Sequence, residues 1–151
     1  MRGSKVSVVI PTIGRPSLAP AVRSAAAQAG HDVEILVVFD TADLPRDLDL
    51  GAATTTLCTG GGTGGGAARN LGVEAARGDF VAFLDDDDEW LPGKLDAQLA
   101  VAHEILDRGR VPVVGSRVLQ RRSDAAEVVP TAVPGNLIQP QQTPQDYLFR
   151  A

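Results

Sequence analysis

The sequence predicts an α/β fold with an open, mostly parallel sheet flanked by helices. Three observations carry that prediction. Short β-branched runs alternate with segments of helical periodicity. The runs are apolar throughout, as strands covered on both faces must be. Pro, Gly and Asp punctuate the boundaries where elements of such a fold begin and end.

Taken in order, Val6-Ser7-Val8-Val9-Ile10 reads as a first buried strand, ended by Pro11. Pro16, with Ser17 as N-cap, opens a helix to Gln28 with Leu18, Val22 and Ala25 on one face, stopped by Gly30. Val33 to Val38 is a second strand closed by Asp40, and Thr54 to Cys58 a weaker third. The glycine run Thr59 to Gly66 leads into a helix near Ala67 that carries Ala68, Leu71 and Ala75 on one side and stops at Gly78. Phe80 to Leu84 is a fourth strand, ending in Asp85-Asp86-Asp87-Asp88. Pro92 can be the first residue of a helix whose apolar stripe is Leu91, Leu95, Leu99, Ala102 and Leu106, ended by Gly109. Val111 to Leu119 reads as a fifth strand. The expected domain is 1–122, followed by an extended Pro/Gln-rich segment at 123–151 with Pro130, Pro134, Pro140 and Pro144.

Composition narrows the function. A chain of 151 residues with 44% hydrophobic and 22% charged side chains can bury a core of its own. With 14 basic against 19 acidic side chains it lacks the basic footprint of a nucleic-acid or anionic-lipid binder. A single cysteine, Cys58, excludes an internal disulfide framework and most structural zinc sites. No apolar run approaches the ~18 residues of a membrane span, and no signal-peptide core opens the chain, so a cytoplasmic location without a transmembrane segment is expected.

In open α/β sheets ligands gather at the carboxyl ends of the strands. Pro11-Thr12, Asp40 and the aspartate run all fall at such ends. The glycine run precedes a helix N-terminus, where free N–H groups favour an anion. Four adjacent carboxylates repel one another, a cost best explained by a cation. On an extended chain Asp85 and Asp87 point to one side, and an oxygen-only set suits Mg²⁺ or Mn²⁺ shared with substrate phosphates. A solvated acidic loop is the plainer alternative. Other motifs fit poorly: an EF-hand loop from Asp85 would need glycine where Trp90 stands, and a P-loop would need Lys-Ser/Thr where Ala67-Ala68 stand. Gly60, Gly62 and Gly65 match the dinucleotide fingerprint G-x-G-x-x-G, which keeps an NAD-type Rossmann domain as a rival. His31, His103, Cys58 and Trp90 read as a solvated turn residue, an exposed helical residue, a buried apolar residue and packing; Arg117, Arg121 and Arg122 read as a solvated strand edge.

Val6-Ser7-Val8-Val9-Ile10-Pro11-Thr12, a strand closed by Asp40, Gly66-Ala67-Ala68-Arg69-Asn70-Leu71-Gly72, and Phe83-Leu84-Asp85-Asp86-Asp87-Asp88-Glu89-Trp90-Leu91-Pro92, in that order, resemble family 2 glycosyltransferases with the GT-A, Rossmann-like fold. The resemblance covers residues 5–108. It implies transfer of a sugar, with inversion, from a nucleotide diphosphate-sugar (UDP-sugar foremost) to a saccharide or other hydroxyl acceptor, with Mn²⁺ or Mg²⁺ at a D-x-D motif. By position it implies that Pro11, Thr12 and Arg15 line the nucleoside pocket, Asp40 bonds the base, Arg69 and Asn70 lie beside the nucleotide, Asp85 or Asp86 reaches the ribose or a metal-bound water, and Asp87, with Asp85, holds the metal. Phe39-Asp40-Thr41-Ala42 departs from the family's usual Asp-Asp-Gly-Ser and loosens the expectation of uridine. The resemblance places the catalytic base beyond Ala151, so donor binding with little transfer is expected of this chain. A nucleotide-binding module without transfer chemistry is the alternative function.

Overall fold

The computed structural model describes residues 4–28, 30–45, 50–51, 54–116, 118–119 and 132–133. The chain divides into two units, Met1–Ala100 and Val101–Ala151.

In the first unit four parallel strands, β1 (Lys5–Thr12), β2 (Asp32–Phe39), β3 (Thr54–Cys58) and β4 (Phe80–Phe83), lie in the order β3-β2-β1-β4. The chain therefore builds outward from β1 to β3 and returns to the other flank of β1 with β4. That reversal leaves a crevice at the carboxyl ends of β1 and β4, the place where open α/β sheets take ligands.

Alternating side chains of the strands feed two different cores. Val6, Val8 and Ile10 of β1 and Ile35, Val37 and Phe39 of β2 meet Leu18, Ala21, Val22 and Ala25 of helix α1 (Leu18–Ala26), together with Leu84, Trp90, Leu95 and Leu99. On the opposite face Val9, Leu36 and Val38 meet Ala68 of α2 (Gly65–Ala75). That second interface is built from small residues: a Cβ at Gly72 would stand 2.3 Å from Val9 Cγ1. Helix α2 can therefore lie close on the strands.

Three local differences from expectation have physical reasons. Pro11 does not end β1, because the ladder to β2 runs on through Pro11–Val38 and Thr12–Phe39. Leu84 N–H donates to Val9 O on the β4 side, whereas Asp40 N–H donates to Thr12 O on the β2 side. By that alternation the missing N–H of Pro11 faces the β4 side, just past the end of β4, and no ladder bond is lost. Helix α3 (Lys94–Asp107) begins after Pro92, because Gly93 has φ +78°, a left-handed conformation that stops the helix from reaching back. Its buried stripe is Leu95, Leu99 and Ala102, while Leu91 and Leu106 are exposed. Helix α2 starts at Gly65, two residues before Ala67.

The second unit holds the last turns of α3, an irregular segment at 111–116, and β5 (Val118–Leu119) paired antiparallel with β6 (Ala132–Val133). The expected fifth strand is thus reduced to two residues. Val111 and Val113 are 89% and 90% exposed. Strand propensity needs a partner strand to be realised, and 111–116 has none among the described residues. Arg117, Arg121, Arg122 and most of the Pro/Gln-rich segment, including Asp146, lie outside the described residues.

Candidate functional site

The cleft at the carboxyl rim measures ≈ 320 Å³ and is lined by Pro11, Thr12, Ile13, Arg15, Asp40, Gly65, Ala68, Arg69, Asp85, Asp86 and Asp87. That volume lies within the roughly 300–1,000 Å³ of small-molecule sites. Every residue that the family resemblance assigns to the nucleotide or metal lines it, except Asn70, which is exposed on α2 outside the lining. Gly65 of the G-x-G-x-x-G match lines it too, whereas Gly60 and Gly62 do not; Ile13 and Ala68 are additions. Gly65, Ala68 and Arg69 follow one another at helical spacing, so α2 presents one face to the cleft.

The aspartate run leaves β4 with alternating burial: Leu84 and Asp86 are buried, Asp85 and Asp87 exposed. Asp86, 5% exposed, accepts from Thr12 Oγ1 at 2.5 Å and from Arg15 Nη1 at 3.3 Å. Thr12 Oγ1 in turn accepts from Gly14 N–H at 2.9 Å. Arg15 also reaches Asp87 at 3.2 Å, and Arg69 pairs with Asp85. Asp88 closes a turn by donating its N–H to Asp85 O. Burial, then the charges of Asp87 and Asp85, push the pKa of Asp88 up. The repulsion expected within the run is thus present, and two arginines offset it.

The far end of the run is tied to α1. Trp90 N–H donates to Ser24 Oγ at 2.9 Å, and the buried amide of Gln28 donates to Leu91 O and accepts from Leu95 N–H. Trp90 is buried, and Lys94 Nζ stands 4.1 Å from its ring centroid.

Asp40 has a different environment. Its Oδ1 accepts from Thr59 Oγ1 (2.5 Å), Thr63 N–H (2.9 Å) and Thr63 Oγ1 (2.8 Å), and its Oδ2 from Gly64 N–H (2.7 Å). The Thr59 hydroxyl, then the two Thr63 groups and Gly64, hold this carboxyl far below the usual carboxylate range. Sequence reasoning treated the glycine run as a source of phosphate donors; two of its N–H groups are donated to Asp40. The signal lay in strand register. Phe39 pairs with Cys58, so Asp40 and Thr59 emerge side by side.

Two further residues differ from their sequence reading. His31 pairs with Asp96 at 2.9 Å instead of standing solvated, and Cys58 is half-buried with its thiol donating to Thr41 O. No three His, Cys, Asp or Glu side chains converge as a metal cluster among the described residues. Asp85 and Asp87 together still offer exposed, oxygen-only ligands on one cleft. That is the donor set a hard divalent ion uses when substrate phosphates complete its shell.

Residues 7–122 match the family model described as Glycosyl transferase family 2. The chain belongs to that family. A glycosyltransferase of Campylobacter jejuni, GalNAc(5)-diNAcBac-PP-undecaprenol beta-1,3-glucosyltransferase, is 31% identical over 82% of this chain and 41% of its own length. An uncharacterized glycosyltransferase of Rickettsia felis is 33% identical over 69% of this chain and 18% of its own. Among solved structures, residues 1–349 of TarS from S. aureus superpose with TM-score 0.55 at 24% identity, covering 68% of this chain and 33% of that one. The family 2 domain has the GT-A, Rossmann-like architecture. It spans less than half the length of the curated relatives it matches. No helix among the described residues is long and apolar enough to cross a membrane.

Proposed function

We propose that this chain forms the donor-binding part of a glycosyltransferase that moves a sugar, with inversion, from a nucleotide diphosphate-sugar to the hydroxyl of a saccharide acceptor. The supporting observation is the convergence of Pro11, Thr12, Arg15, Arg69 and Asp85–Asp87 on one cleft at the crevice between β1 and β4. In this reading Pro11, Thr12 and Ile13 form the wall for the nucleoside, and Asp86 is held as a fixed anion by Thr12 and Arg15. Asp87 and Asp85 would hold Mn²⁺ or Mg²⁺. Such an ion, when bound, neutralises charge developing on the leaving diphosphate. Arg15 and Arg69 then become available to phosphate oxygens, for which the guanidinium fork is well suited.

Calorimetric titration with UDP, dTDP, GDP, ADP and NAD, each in Mn²⁺ and in EDTA, tests the proposal. UDP or dTDP binding should need the metal, and Asp87→Ala should remove most of that dependence. Equal UDP affinity in EDTA and Mn²⁺ refutes metal-assisted donor binding. Preferential NAD binding would instead favour the dinucleotide reading of Gly60, Gly62 and Gly65.

A further inference from the structure

We propose that Ser24 and Gln28 are positioning residues: they clasp the segment 90–95 to α1 and thereby hold the Asp85–Asp88 run in the form that can take a divalent ion. The inference rests on the cleft being a metal-assisted nucleotide site.

Something other than the arginines must hold the run. Asp85 and Asp87 are exposed, and ion pairs with the partly exposed Arg15 and Arg69 fix them weakly. A hard ion with few protein ligands needs its carboxylates already in place. That task falls to the backbone on either side of the run. At the near end Leu84 N–H donates to Val9 O at 3.1 Å, so the sheet itself is the anchor. At the far end the anchors are two side chains, one on α1 and one just past its end.

Trp90 N–H donates to Ser24 Oγ at 2.9 Å, and that hydroxyl is itself aimed by donating to Ala21 O at 2.7 Å. Four residues on, along the same face, Gln28 is 5% exposed. A buried amide must be paired, and its bonds leave it one orientation. Nε2 donates to Leu91 O (3.1 Å) and Ser24 O (3.3 Å), while Oε1 accepts from Leu95 N–H (3.2 Å). Turned over, the amide would set its NH₂ against the Leu95 N–H. That N–H belongs to the first turn of α3, where donors have no partner within the helix. Gly93, just ahead of α3, has no side chain to cap it, so Gln28 supplies an acceptor from across the interface.

The residues of α1 and its flanks thus brace the run at two points. Arg15, whose carbonyl accepts from Leu18 N–H at the start of the helix, meets Asp86 and Asp87. Ser24 and Gln28 meet the segment that follows Glu89. With Leu84 and Trp90 both anchored, the turn that Asp88 N–H closes on Asp85 O spans two fixed ends. Opening the clasp frees the far end, and the spacing of Asp85 and Asp87 goes with it.

The test uses the 151-residue chain, with UDP titrated in Mn²⁺ and amide exchange followed by NMR without ligand. Gln28→Met fills similar space and loses both bonds to 91–95; Ser24→Ala loses the bond to Trp90. UDP affinity in Mn²⁺ should fall about 10-fold in the first and about 3-fold in the second, for two hydrogen bonds and one. Ser24→Thr keeps the hydroxyl and should bind as the parent does. Val6→Ala, in the core at the opposite end of β1, should lower the melting temperature and leave UDP affinity unchanged. The run itself reports through Asp88 N–H, which bonds within it. Exchange there should quicken in Gln28→Met and Ser24→Ala, while that of Leu84 N–H should not. Parent-like affinity in both variants, or an equal loss in Val6→Ala, overturns the proposal. Should Gln28→Met not fold, Ser24→Ala against Ser24→Thr decides. If the parent does not bind UDP in Mn²⁺, the nucleotide reading fails by itself. Asp88 exchange then decides whether the clasp holds the run, and unchanged exchange refutes it.

Discussion

Asp40 and the Asp85–Asp88 run stand on one rim of one sheet, yet their charges are balanced in opposite ways. Asp40 is held by neutral donors, two hydroxyls and two backbone amides, all from the loop that follows β3. Asp85, Asp86 and Asp87 are held largely by the guanidiniums of Arg15 and Arg69, reaching in from other elements. Neutral backbone donors cannot leave without remaking the loop. A half-exposed arginine can swing to a new anion at little cost, since exposed ion pairs contribute roughly 0–1 kcal/mol. One side of the cleft is therefore framework, and the other holds its charges through exposed ion pairs that can exchange partners, as the proposed binding of an ion and a diphosphate would require.

The largest effect expected from breaking this contrast is on the framework side. Gly61→Ala places a methyl 2.8 Å from Ala42 N in a backbone conformation of φ +95°. Left-handed geometry alone costs about 1–2 kcal/mol for a non-glycine residue. The overlap, which is with backbone, adds to that. Urea denaturation should show a loss of about 2–3 kcal/mol by this reasoning. A loss below about 0.5 kcal/mol, the usual range of an uninvolved surface site, would mean the loop is not framework.

An intermediate effect is expected on the exchangeable side. Arg15→Met removes the cation shared by Asp86 and Asp87. Arg15 is 50% exposed, so the cost without metal should stay near about 1 kcal/mol. The informative readout is the ratio. Mn²⁺ should raise the melting temperature of Arg15→Met more than that of the parent, because an ion that binds only the folded chain fills the place of the lost cation. Equal shifts in the two proteins would mean that Arg15 and the metal do not share a site.

The exchangeable side was more legible in the sequence than the framework side, and the reason is physical. The aspartate run is local, and its strangeness follows from charge repulsion between neighbours. Strands β1 to β4 were legible for the same kind of reason, since β-branched runs such as Val6–Ile10 and Val33–Val38 report their burial directly. What stayed hidden depends on register between distant segments. Nothing in Asp40-Thr41-Ala42 announces that Thr59 and Thr63 will close on the carboxylate until Phe39 is known to pair with Cys58. Pro11 looked like a terminator because the side of β1 on which its N–H is missing was not known. The run from Val111 failed for the converse reason: apolar composition alone does not supply a partner strand. The resemblance in sequence puts Arg69 and Asn70 together beside the nucleotide; in the fold α2 turns Gly65, Ala68 and Arg69 toward the cleft, and Asn70 is exposed outside its lining.

The smallest effect concerns a cation near the run that the aspartates do not hold. Lys94 lies over the ring of Trp90 and donates to Gln98 Oε1 at 2.5 Å. Burial holds its pKa down to about 8. The ring face favours the ammonium, but burial prevails. The direction of the pH dependence follows from linkage. An unfolded lysine keeps its proton to about pH 10.4, whereas the folded chain gives it up near 8. Between those values the unfolded state binds more protons, so stability rises with pH across that window. Below it, the folded state carries the whole cost of a desolvated charge. Lys94→Met keeps the packing on Trp90 and removes the titration. Relief of that cost is opposed by loss of the ring attraction, about 0.5–1 kcal/mol, and of the bond to Gln98. Near pH 7 the melting temperature of Lys94→Met should therefore equal or slightly exceed that of the parent. The parent should gain on it steadily from pH 8 to 10, and the difference between the two curves isolates Lys94 from every other titrating group. Parallel melting curves over that range would show that Lys94 titrates as a solvated lysine. Its charge would then be free for the aspartate run, and the division of cations between carboxylates and Trp90 would fail at this residue.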